Sequence, residues 1–402
     1  MEERQIKQAV ILAGGYGERM KPFTEQHPKP MYPFQKTPFI DYLIKQIKGF
    51  GITKVLLLLG YMADQIQDFL GDGEHYDMEI EYCVTPPEYD TGNRLFDAEG
   101  KLDDAFLLMY CDNYCPIHFQ RLCQDFFYNN ADIQISVYRN ADQYTKDNVR
   151  LAANGMVSCY DKKRVTDGLQ GVDIGYAIIK KSVLKRLQIK ENNPVNFEGQ
   201  VYPIMVEQGT MFGTQTEHRY YSIGSWKRIE LTKEFFSNPK TLFLDRDGTL
   251  NVRPPKACYV EKPEDFKWIK GSMEAVRILK EAGWRLILVS NQPGIARGNL
   301  TRESLEQIHK KMQEDLKKET GYELDALYYC PHNWDENCEC RKPKPGLLYQ
   351  AQKDFSLDLT KCYLIGDDER DIQAGEAAGC HCIMVNETYN LLDSVKELLN
   401  IK

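Results

Sequence analysis

Short apolar runs alternate with amphipathic stretches along the whole chain, a pattern typical of parallel β-sheets covered by helices on both faces. Between Thr301 and Gly321 the apolar residues have helical spacing, which predicts one long helix. Asn154-Gly155 separates two strand-like runs and predicts a hairpin turn. The pattern favours an α/β protein with doubly wound sheets. The predicted buried strands are 8–14, 54–60, 105–111, 133–139, 172–179, 241–245, 285–291, 362–367 and 382–386.

A domain boundary is predicted near residues 235–240. A helical run ends there, Asn238-Pro239 interrupts it, and a new apolar run starts at once. The chain has 402 residues, too many for one ordinary hydrophobic core. We therefore expect two domains, 1–237 and 238–402.

Composition excludes several classes of protein. The hydrophobic share of 42% and the charged share of 27% are those of an ordinary globular protein. A net charge of −8 with scattered Lys and Arg argues against a nucleic-acid partner. No apolar run approaches the roughly 20 residues of a membrane span, and the start lacks a signal-peptide pattern. We expect a cytoplasmic protein whose 12 cysteines are reduced or bind metal.

A glycine-rich turn follows the first apolar run. Gly14, Gly15 and Gly17 allow backbone N–H groups to approach phosphate oxygens, and a following helix N-terminus would add a positive dipole. Arg19 and Lys29 follow closely. The string ILAGGYGERMKPFTEQHPKPMYP resembles the signature of the sugar-1-phosphate nucleotidyltransferases. The expected domain is Rossmann-like.

This resemblance implies the transfer of a nucleotidyl group. A sugar phosphate oxygen attacks the α-phosphate of a nucleoside triphosphate and pyrophosphate leaves, so the site needs cations more than a proton shuttle. Arg19 and Lys29 are implied to be catalytic, and Asp112 to bind Mg²⁺. The residues implied to bind nucleotide or sugar phosphate are Leu12, Ala13, Gly14, Gly15, Gly17, Gly92, Lys162, Asp173 and Gly175.

Other interpretations of these residues stay open. Lys29 suits a solvated loop, Asp112 a helix cap, and Lys162 an exposed charge cluster. Two positions also depart from the family pattern. Cys111 replaces a glycine, and Ser222, in YYSIGSW, stands where a second metal-binding aspartate is expected. A hydroxyl is a poor Mg²⁺ ligand, so either another group substitutes or the domain is weakened.

A second chemical motif opens the second half. In FLDRDGTLN, Asp245 and Asp247 stand two residues apart after an apolar run, where one can act as nucleophile and the other as general acid and base. The string resembles the first motif of the haloacid-dehalogenase-like phosphatases. The resemblance implies phosphate binding by Ser290, Asn291 and Lys342, and Mg²⁺ binding by Asp245, Asp247 and Asp367.

A metal-binding pattern lies between these motifs. Cys330, His332, Cys338 and Cys340 offer three thiolates and one imidazole, which complete a tetrahedral Zn²⁺ site with no open position. Zinc here would be structural. The adjoining RKPKPG resembles the capless subgroup of the same superfamily, in which such a loop precedes the phosphate-binding lysine.

Within that subgroup the chain resembles heptose 1,7-bisphosphate phosphatases, through NQPGIARG at 291–298, and less closely histidinol-phosphate phosphatases. Asp368 stands where the heptose enzymes often carry a lysine. Arg297 and Arg341 are candidates for binding a second phosphate or the sugar, and a surface ion pair is the alternative for each.

The two resemblances together imply consecutive steps on one sugar. A phosphatase would remove the 7-phosphate of D-glycero-D-manno-heptose 1,7-bisphosphate. A nucleotidyltransferase would then join the heptose 1-phosphate to a nucleotide for surface polysaccharide synthesis. GTP is inferred only from the related pathway. Three alternatives remain: another sugar or polyol phosphate, CTP or another nucleotide, and a non-catalytic first domain. The oligomeric state is open, a homo-oligomer included.

Overall fold

The computed structural model describes residues 5–189, 193–255 and 258–401. The chain divides into two compact units between Ser237 and Asn238. Helix α6 of the first unit ends at Phe236, and the first strand of the second unit begins at Thr241.

The first unit is built on a seven-stranded sheet. Its order is β12-β8-β11-β6-β1-β4-β5 among the described residues, and short pairs β2–β3, β9–β10 and β7–β13 lie outside it. The strands are β1 Gln8–Ala13, β2 Pro33–Phe34, β3 Thr37–Pro38, β4 Lys54–Leu59, β5 Glu79–Val84, β6 Ala105–Tyr110, β7 Asn113–Tyr114, β8 Ile133–Tyr138, β9 Val149–Leu151, β10 Val157–Tyr160, β11 Val172–Lys180, β12 Met211–Thr216 and β13 Tyr221–Ser222.

One strand corrects the expectation of a purely parallel sheet. Strand β11 runs antiparallel to both neighbours, with Ile178 opposite Leu107 of β6 and Gln134 of β8. The other pairs of this sheet are parallel. The chain reaches β11 through the β9–β10 hairpin, whose turn contains Gly155 at φ +82° as predicted, and not through a helical crossover. An apolar run specifies burial on both faces but not strand direction.

Helices cover both faces of this sheet, and two hydrophobic clusters fill the layers between sheet and helices. Alternate residues of β1 divide between them: Ala9 and Ile11 face one cluster, and Val10 and Leu12 the other. The helices are α1 Phe39–Gly49, α2 Ala63–Leu70, α3 Thr91–Asp97, α4 Phe119–Tyr128, α5 Phe197–Glu207 and α6 Trp226–Phe236.

The second unit is built on a parallel sheet of order β16-β15-β14-β17-β18, five strands in the part of this unit that the structure describes. The long predicted helix is present as α8, capped by the Thr301 hydroxyl and ended by Gly321 at φ +82°. The elements are β14 Thr241–Leu244, α7 Ser272–Glu281, β15 Arg285–Asn291, α8 Arg302–Thr320, β16 Ala326–Cys330, α9 Gly346–Phe355, β17 Tyr363–Gly366, α10 Glu369–Ala378, β18 His381–Met384 and α11 Leu391–Leu398. The predicted α/β class with two doubly wound sheets is confirmed.

Both sheets change winding direction at a central strand. In the first unit β1 lies between β6 and β4, and in the second β14 lies between β15 and β17. Loops diverge at the carboxyl end of such a strand and leave a crevice for a ligand. Of the helices within the described ranges, none combines the length and apolar character needed to cross a membrane.

Candidate active sites

A cavity of about 340 Å³ opens at the carboxyl end of β1 in the first unit. Most of the residues expected to bind nucleotide line it together. They are Leu12, Ala13, Gly14, Gly15, Gly17, Arg19, Lys29 and Asp112.

The glycine loop does not lead into an α-helix, which corrects part of the expectation. Gly17 has φ +68°, and the chain continues into a single 3-10 turn at Glu18–Met20. Pro22 follows, and Pro28 and Pro30 come soon after; proline lacks the N–H that a longer helix would need. Any contribution of this loop to phosphate binding therefore comes from its backbone and side chains, without a helix dipole.

Lys29 and Asp112 form an ion pair at this cavity, with 2.6 Å between Lys29 Nζ and Asp112 Oδ2. The Lys29 side chain is only 12% exposed, and Asp112 lies between β6 and β7 with no helix after it, so the solvated-loop and helix-cap alternatives do not describe them. Burial and the charge of Asp112 raise the pKa of the neighbouring Cys111 thiol to about 12.

Ser222 lies beside Asp112. Strand β13 pairs with β7 so that Ser222 is opposite Asn113, and the Ile223 N–H donates to the Asp112 carbonyl at 3.0 Å. A methyl group added at Gly224 would lie 3.1 Å from Ser222 Oγ, 3.7 Å from Arg19 Nη2 and 3.9 Å from Asp112 Oδ2. These three side chains therefore converge on one point, with a hydroxyl where a second acid is expected.

Arg94 is a feature of this cavity that the sequence did not reveal. Its side chain is almost fully buried, and its Nη2 donates to the Gly14 carbonyl at 3.0 Å. A methyl group at Gly14 would lie 2.1 Å from Arg94 Cζ, so only glycine fits there. The guanidinium also donates to acceptors on the end of β4 and the loop after β5: Leu59, Thr85, Pro86, Pro87 and Tyr89.

Lys162 and Asp173 belong to a separate group of side chains in the same unit. Lys162 Nζ lies 2.8 Å from Glu198 Oε2, and Tyr160 donates to Asp173 at 3.3 Å. Burial and the charge of Glu198 raise the pKa of Asp173 to about 7. Glu198, at the start of α5, was missed because no local pattern marks it.

Gly92 does not line the cavity. Its N–H donates to the Val195 carbonyl at 2.7 Å, and an added methyl group would lie 2.7 Å from that oxygen. Close backbone approach accounts for the glycine. Gly175, in contrast, has φ +81° and packs against Tyr110, which does line the cavity.

In the second unit Asp245 follows the central strand β14 and pairs with Lys342 at 2.6 Å. Both side chains are buried. Burial raises the pKa of Asp245 to about 7, against the opposing charge of Lys342. Lys342 also contacts Asp371 at 2.5 Å and donates to the Val289 carbonyl, so its ammonium is held deep in the crevice.

The Asp247 carboxylate points to a different set of partners. It accepts from Arg246 at 2.9 Å, from Asn251 at 3.0 Å and from Gln292 at 3.1 Å. Although burial disfavours its charge, these donors hold the pKa of Asp247 below its usual value. This carboxylate is therefore ionised at neutral pH.

The acidic group that could hold a metal differs from the predicted one. Ligand oxygens of Asp245, Asp367 and Asp371 all lie within 4.8 Å of one another. The Asp247 carboxylate is not in this group, because the donors described above hold it. The sequence analysis missed Asp371. Its position four residues after Asp367, in the first turn of α10, could have indicated that the two carboxylates lie close together. Burial raises the pKa of Asp367 to about 6, against the charge of Arg253.

Most of the remaining predicted phosphatase residues surround a cavity of about 360 Å³. Asn291 exchanges two hydrogen bonds of 3.0 Å with the backbone of Lys342, which fixes the loop against β15. Ser290 and Arg341 line the cavity. Arg297 does not; it donates to Asn333 at 3.0 Å and to the Tyr259 hydroxyl at 2.7 Å.

The predicted metal loop brings its four side chains together. Cys330 Sγ lies 3.6 Å from both Cys338 Sγ and His332 Nδ1, and Cys340 Sγ lies 3.2 Å from His332 Nδ1 and 3.6 Å from Cys338 Sγ. A tetrahedron with metal–sulfur bonds of about 2.3 Å has edges of about 3.8 Å. The group therefore could hold a tetrahedral metal ion.

Comparison with known proteins separates the two units. The model of the nucleotidyl transferase family matches residues 8–167, and a HAD-hydrolase-like model matches residues 339–390. The D-glycero-beta-D-manno-heptose-1,7-bisphosphate 7-phosphatase of Helicobacter pylori (strain J99) is 46% identical over 136 residues, 34% of this chain and 76% of that protein. The chain belongs to this phosphatase family. It is an enzyme that combines a phosphatase unit with a nucleotidyltransferase unit.

Two solved structures are similar to parts of the chain. The D,D-heptose 1.7-bisphosphate phosphatase from B. bronchiseptica, complexed with magnesium and phosphate, is 32% identical and covers 40% of this chain and 99% of its own, with a TM-score of 0.38. HddC from Yersinia pseudotuberculosis is 22% identical and covers 57% of this chain and 99% of its own, with a TM-score of 0.48.

Proposed function

We propose that the enzyme catalyses two consecutive steps. The phosphatase unit removes the 7-phosphate of D-glycero-D-manno-heptose 1,7-bisphosphate. The nucleotidyltransferase unit then transfers a nucleotidyl group to the heptose 1-phosphate and releases pyrophosphate. The observation that carries this proposal is the presence, in one chain, of a heptose-type phosphatase crevice and a nucleotidyltransferase cavity, because the product of the first reaction is a substrate of the second.

In the phosphatase unit, Asp245 is the proposed nucleophile. Its carboxylate attacks phosphorus and forms an acyl phosphate while the sugar oxygen leaves. Asp247 protonates that oxygen and later takes a proton from the water that hydrolyses the acyl phosphate. Since Asp247 is ionised at neutral pH, its proton is taken up when the negative phosphate binds nearby and raises its pKa.

Two groups of side chains in this unit suit a metal ion. The first consists of the carboxylates of Asp245, Asp367 and Asp371, which are ligands that Mg²⁺ prefers, and Mg²⁺ bound there would neutralise charge on the phosphate. The Cys₃His group suits structural Zn²⁺. It lies immediately before Lys342, so bound zinc would hold the loop that positions this lysine beside Asp245.

In the nucleotidyltransferase unit, positioning and charge neutralisation supply the catalysis. We assign Arg19 and Lys29 to the triphosphate, Lys162 to the phosphate group of the sugar phosphate, and Asp173 to the sugar hydroxyls. Asp112 would be the carboxylate ligand of Mg²⁺, which would offset charge on the phosphates. Its carboxylate and the Lys29 ammonium are 2.6 Å apart, so Mg²⁺ held by Asp112 and the charge of Lys29 would act on the same phosphates. GTP is the proposed nucleotide because the related heptose pathway uses guanine. We expect the enzyme to act in the cytoplasm, where metal-binding thiols stay reduced.

The test measures both activities in one preparation. Phosphate release is followed with heptose 1,7-bisphosphate, and pyrophosphate release with each nucleoside triphosphate against several sugar 1-phosphates. Asp245→Asn should abolish phosphate release and leave nucleotidyl transfer nearly intact, because its site belongs to the other unit.

Two results would contradict the proposal. Preference for a different sugar phosphate or nucleotide would replace the substrates named here. If active phosphatase preparations release no pyrophosphate with any pair, the first unit is not a transferase for these substrates. Calorimetry would then show whether it binds a nucleotide or a sugar phosphate, as Ser222 in place of an acid would suggest.

A further inference from the structure

Gln292 belongs to the NQPG string at 291–294 and lies beside the phosphatase cavity without lining it. The residue is 1% exposed and directly follows strand β15. Pro293 comes next, in a turn that the Ile295 N–H closes on the Gln292 carbonyl at 3.3 Å. The Gln292 N–H donates to the Cys330 carbonyl at 2.8 Å. The backbone of Gln292 is therefore fixed between the end of β15 and the start of the Cys₃His loop.

The Gln292 side-chain amide joins two functional groups. Its Nε2 donates to Asp247 Oδ2 at 3.1 Å and to Ser290 Oγ at 2.8 Å. Its Oε1 accepts from Arg246 Nη2 at 3.2 Å, and since a guanidinium can only donate, this contact fixes which way the amide points. One amide thus connects the proposed acid and base with a hydroxyl assigned to the phosphate.

Arg246 holds the same carboxylate as Gln292. It is 1% exposed, and its Nη2 lies 3.0 Å from Asp247 Oδ1 and 2.9 Å from Oδ2. Its Nη1 lies 3.5 Å from His309 Nε2. Burial and the charge of Arg246 lower the pKa of His309 to about 3, so this imidazole is neutral at neutral pH. Within the described ranges, Asp247 is therefore the carboxylate that balances the buried charge of Arg246.

The contacts of the Asp247 carboxylate decide where it can deliver a proton. The atoms that Arg246, Asn251 and Gln292 present to this carboxylate are all donors. A proton carried by Asp247 therefore finds no acceptor in these contacts. The leaving sugar oxygen, which gains an electron pair when its bond to phosphorus breaks, is the acceptor that this arrangement leaves open. Because Gln292 also bonds to Ser290, the amide sets the distance between the acid and the bound phosphate.

We propose that Gln292 is a positioning residue, which holds Asp247 at the distance from the bound phosphate that protonation of the leaving oxygen requires. Arg246 fixes the same carboxylate from its other contacts. The inference rests on the proposed function, since it requires Asp247 to protonate a sugar oxygen. Gln292 itself touches no reacting atom and acts through Asp247 and Ser290.

The test varies the leaving group. Heptose 1,7-bisphosphate releases a sugar oxygen that must be protonated, whereas p-nitrophenyl phosphate releases a phenolate that is stable without a proton. The quantity measured is kcat/KM for the bisphosphate divided by kcat/KM for the aryl phosphate. Since kcat/KM covers only the steps up to release of the first product, the later hydrolysis of the acyl phosphate does not enter this ratio.

Gln292→Met keeps the approximate length of the side chain but removes its hydrogen bonds. We expect kcat/KM to fall about 100-fold for the bisphosphate and less than about 5-fold for the aryl phosphate, so the ratio falls about 20-fold or more. A general loss of structure would lower both values alike. Gln292→Glu keeps the shape and the acceptor for Arg246 but offers Asp247 no donor, so it should lower the ratio too. In the Asp247→Asn background, Gln292→Met should leave the ratio unchanged, because the group to be positioned is already lost.

Gln313→Met is the matched control. Gln313 exchanges hydrogen bonds of 2.9 Å and 3.0 Å with the Leu324 backbone and does not line the cavity, so this variant should keep the wild-type ratio. If both Gln292 variants also keep that ratio while the wild type hydrolyses the bisphosphate, the inference is overturned and the proposed function stands. If the wild type hydrolyses p-nitrophenyl phosphate but not the bisphosphate, both are overturned.

Discussion

Arg94 is predicted to hold the nucleotide cavity together, and Arg94→Met tests this role. The guanidinium is 3% exposed and donates to five backbone carbonyls and the Thr85 hydroxyl. It links the glycine loop after β1 to the end of β4 and to the loop after β5. Methionine fills part of the space but donates no hydrogen bond.

The size of the effect follows from which acceptors keep another donor. The carbonyls of Gly14, Leu59 and Pro86 also accept from backbone N–H groups at 3.1 Å, whereas within the described residues those of Pro87 and Tyr89 have only Arg94. Both of these carbonyls are only partly buried, so water can replace part of the lost hydrogen bonding and each costs about 1 kcal/mol, the low end of the range for an acceptor left without a donor. The free energy of unfolding of the first unit should therefore fall by about 2 kcal/mol.

The assay must report on one unit, because a chain with two units need not unfold in a single transition. Hydrogen exchange of the β1 and β4 amides measures the first unit. Nucleotidyl transfer should fall about 100-fold in kcat/KM as the loop shifts, while phosphate release stays unchanged. Arg139→Met, which removes an exposed ion pair with Glu217 in the same unit, is the control. A loss below about 0.5 kcal/mol in Arg94→Met, the range of surface substitutions, would refute the reasoning.

Three further predictions address the metals and the buried acid. Cys338→Ser should lose bound zinc and lower phosphate release while sparing nucleotidyl transfer; metal analysis showing no zinc in active wild-type protein would contradict this. Asp112→Asn should raise the activation free energy of nucleotidyl transfer by about 3–5 kcal/mol and so slow the reaction by several orders of magnitude. Ser222→Asp should be tolerated, and equal losses in both variants would count against one metal-binding carboxylate. The pKa of Asp173 rises from 3.8 to about 7 on folding, so the folded state binds this proton more tightly and the first unit loses stability as pH rises from 4 to 7. Asp173→Asn should remove that part of the pH dependence, as urea unfolding at several pH values would reveal.

Much of this protein could be predicted from local sequence. The nine apolar runs all form strands in the structure, eight of them because strands buried on both faces are largely apolar; the ninth, β18, is an edge strand without a buried residue. The strands β5, β12 and β16 were not predicted. They lie at sheet edges and are only partly buried. Polar residues interrupt the apolar pattern in β5 and β12, whereas β16 is an apolar run that was not recognised. The glycine loop and the Cys₃His loop were recognisable because their residues are close in sequence.

Only the tertiary structure decided which distant side chains meet. Asp371 joins Asp245 because β14 and β17 are neighbours in the sheet, and Arg94 reaches Gly14 across β4 and its following loop. Strand β11 takes its direction from the connection before it. Arg253 and Asp368, 115 residues apart, become an ion pair at the cavity entrance. Hydrophobic periodicity is a property of residues that are close in sequence, so it can be recognised in the sequence alone. The pairing of distant charges depends on distances in space, which only the folded structure determines.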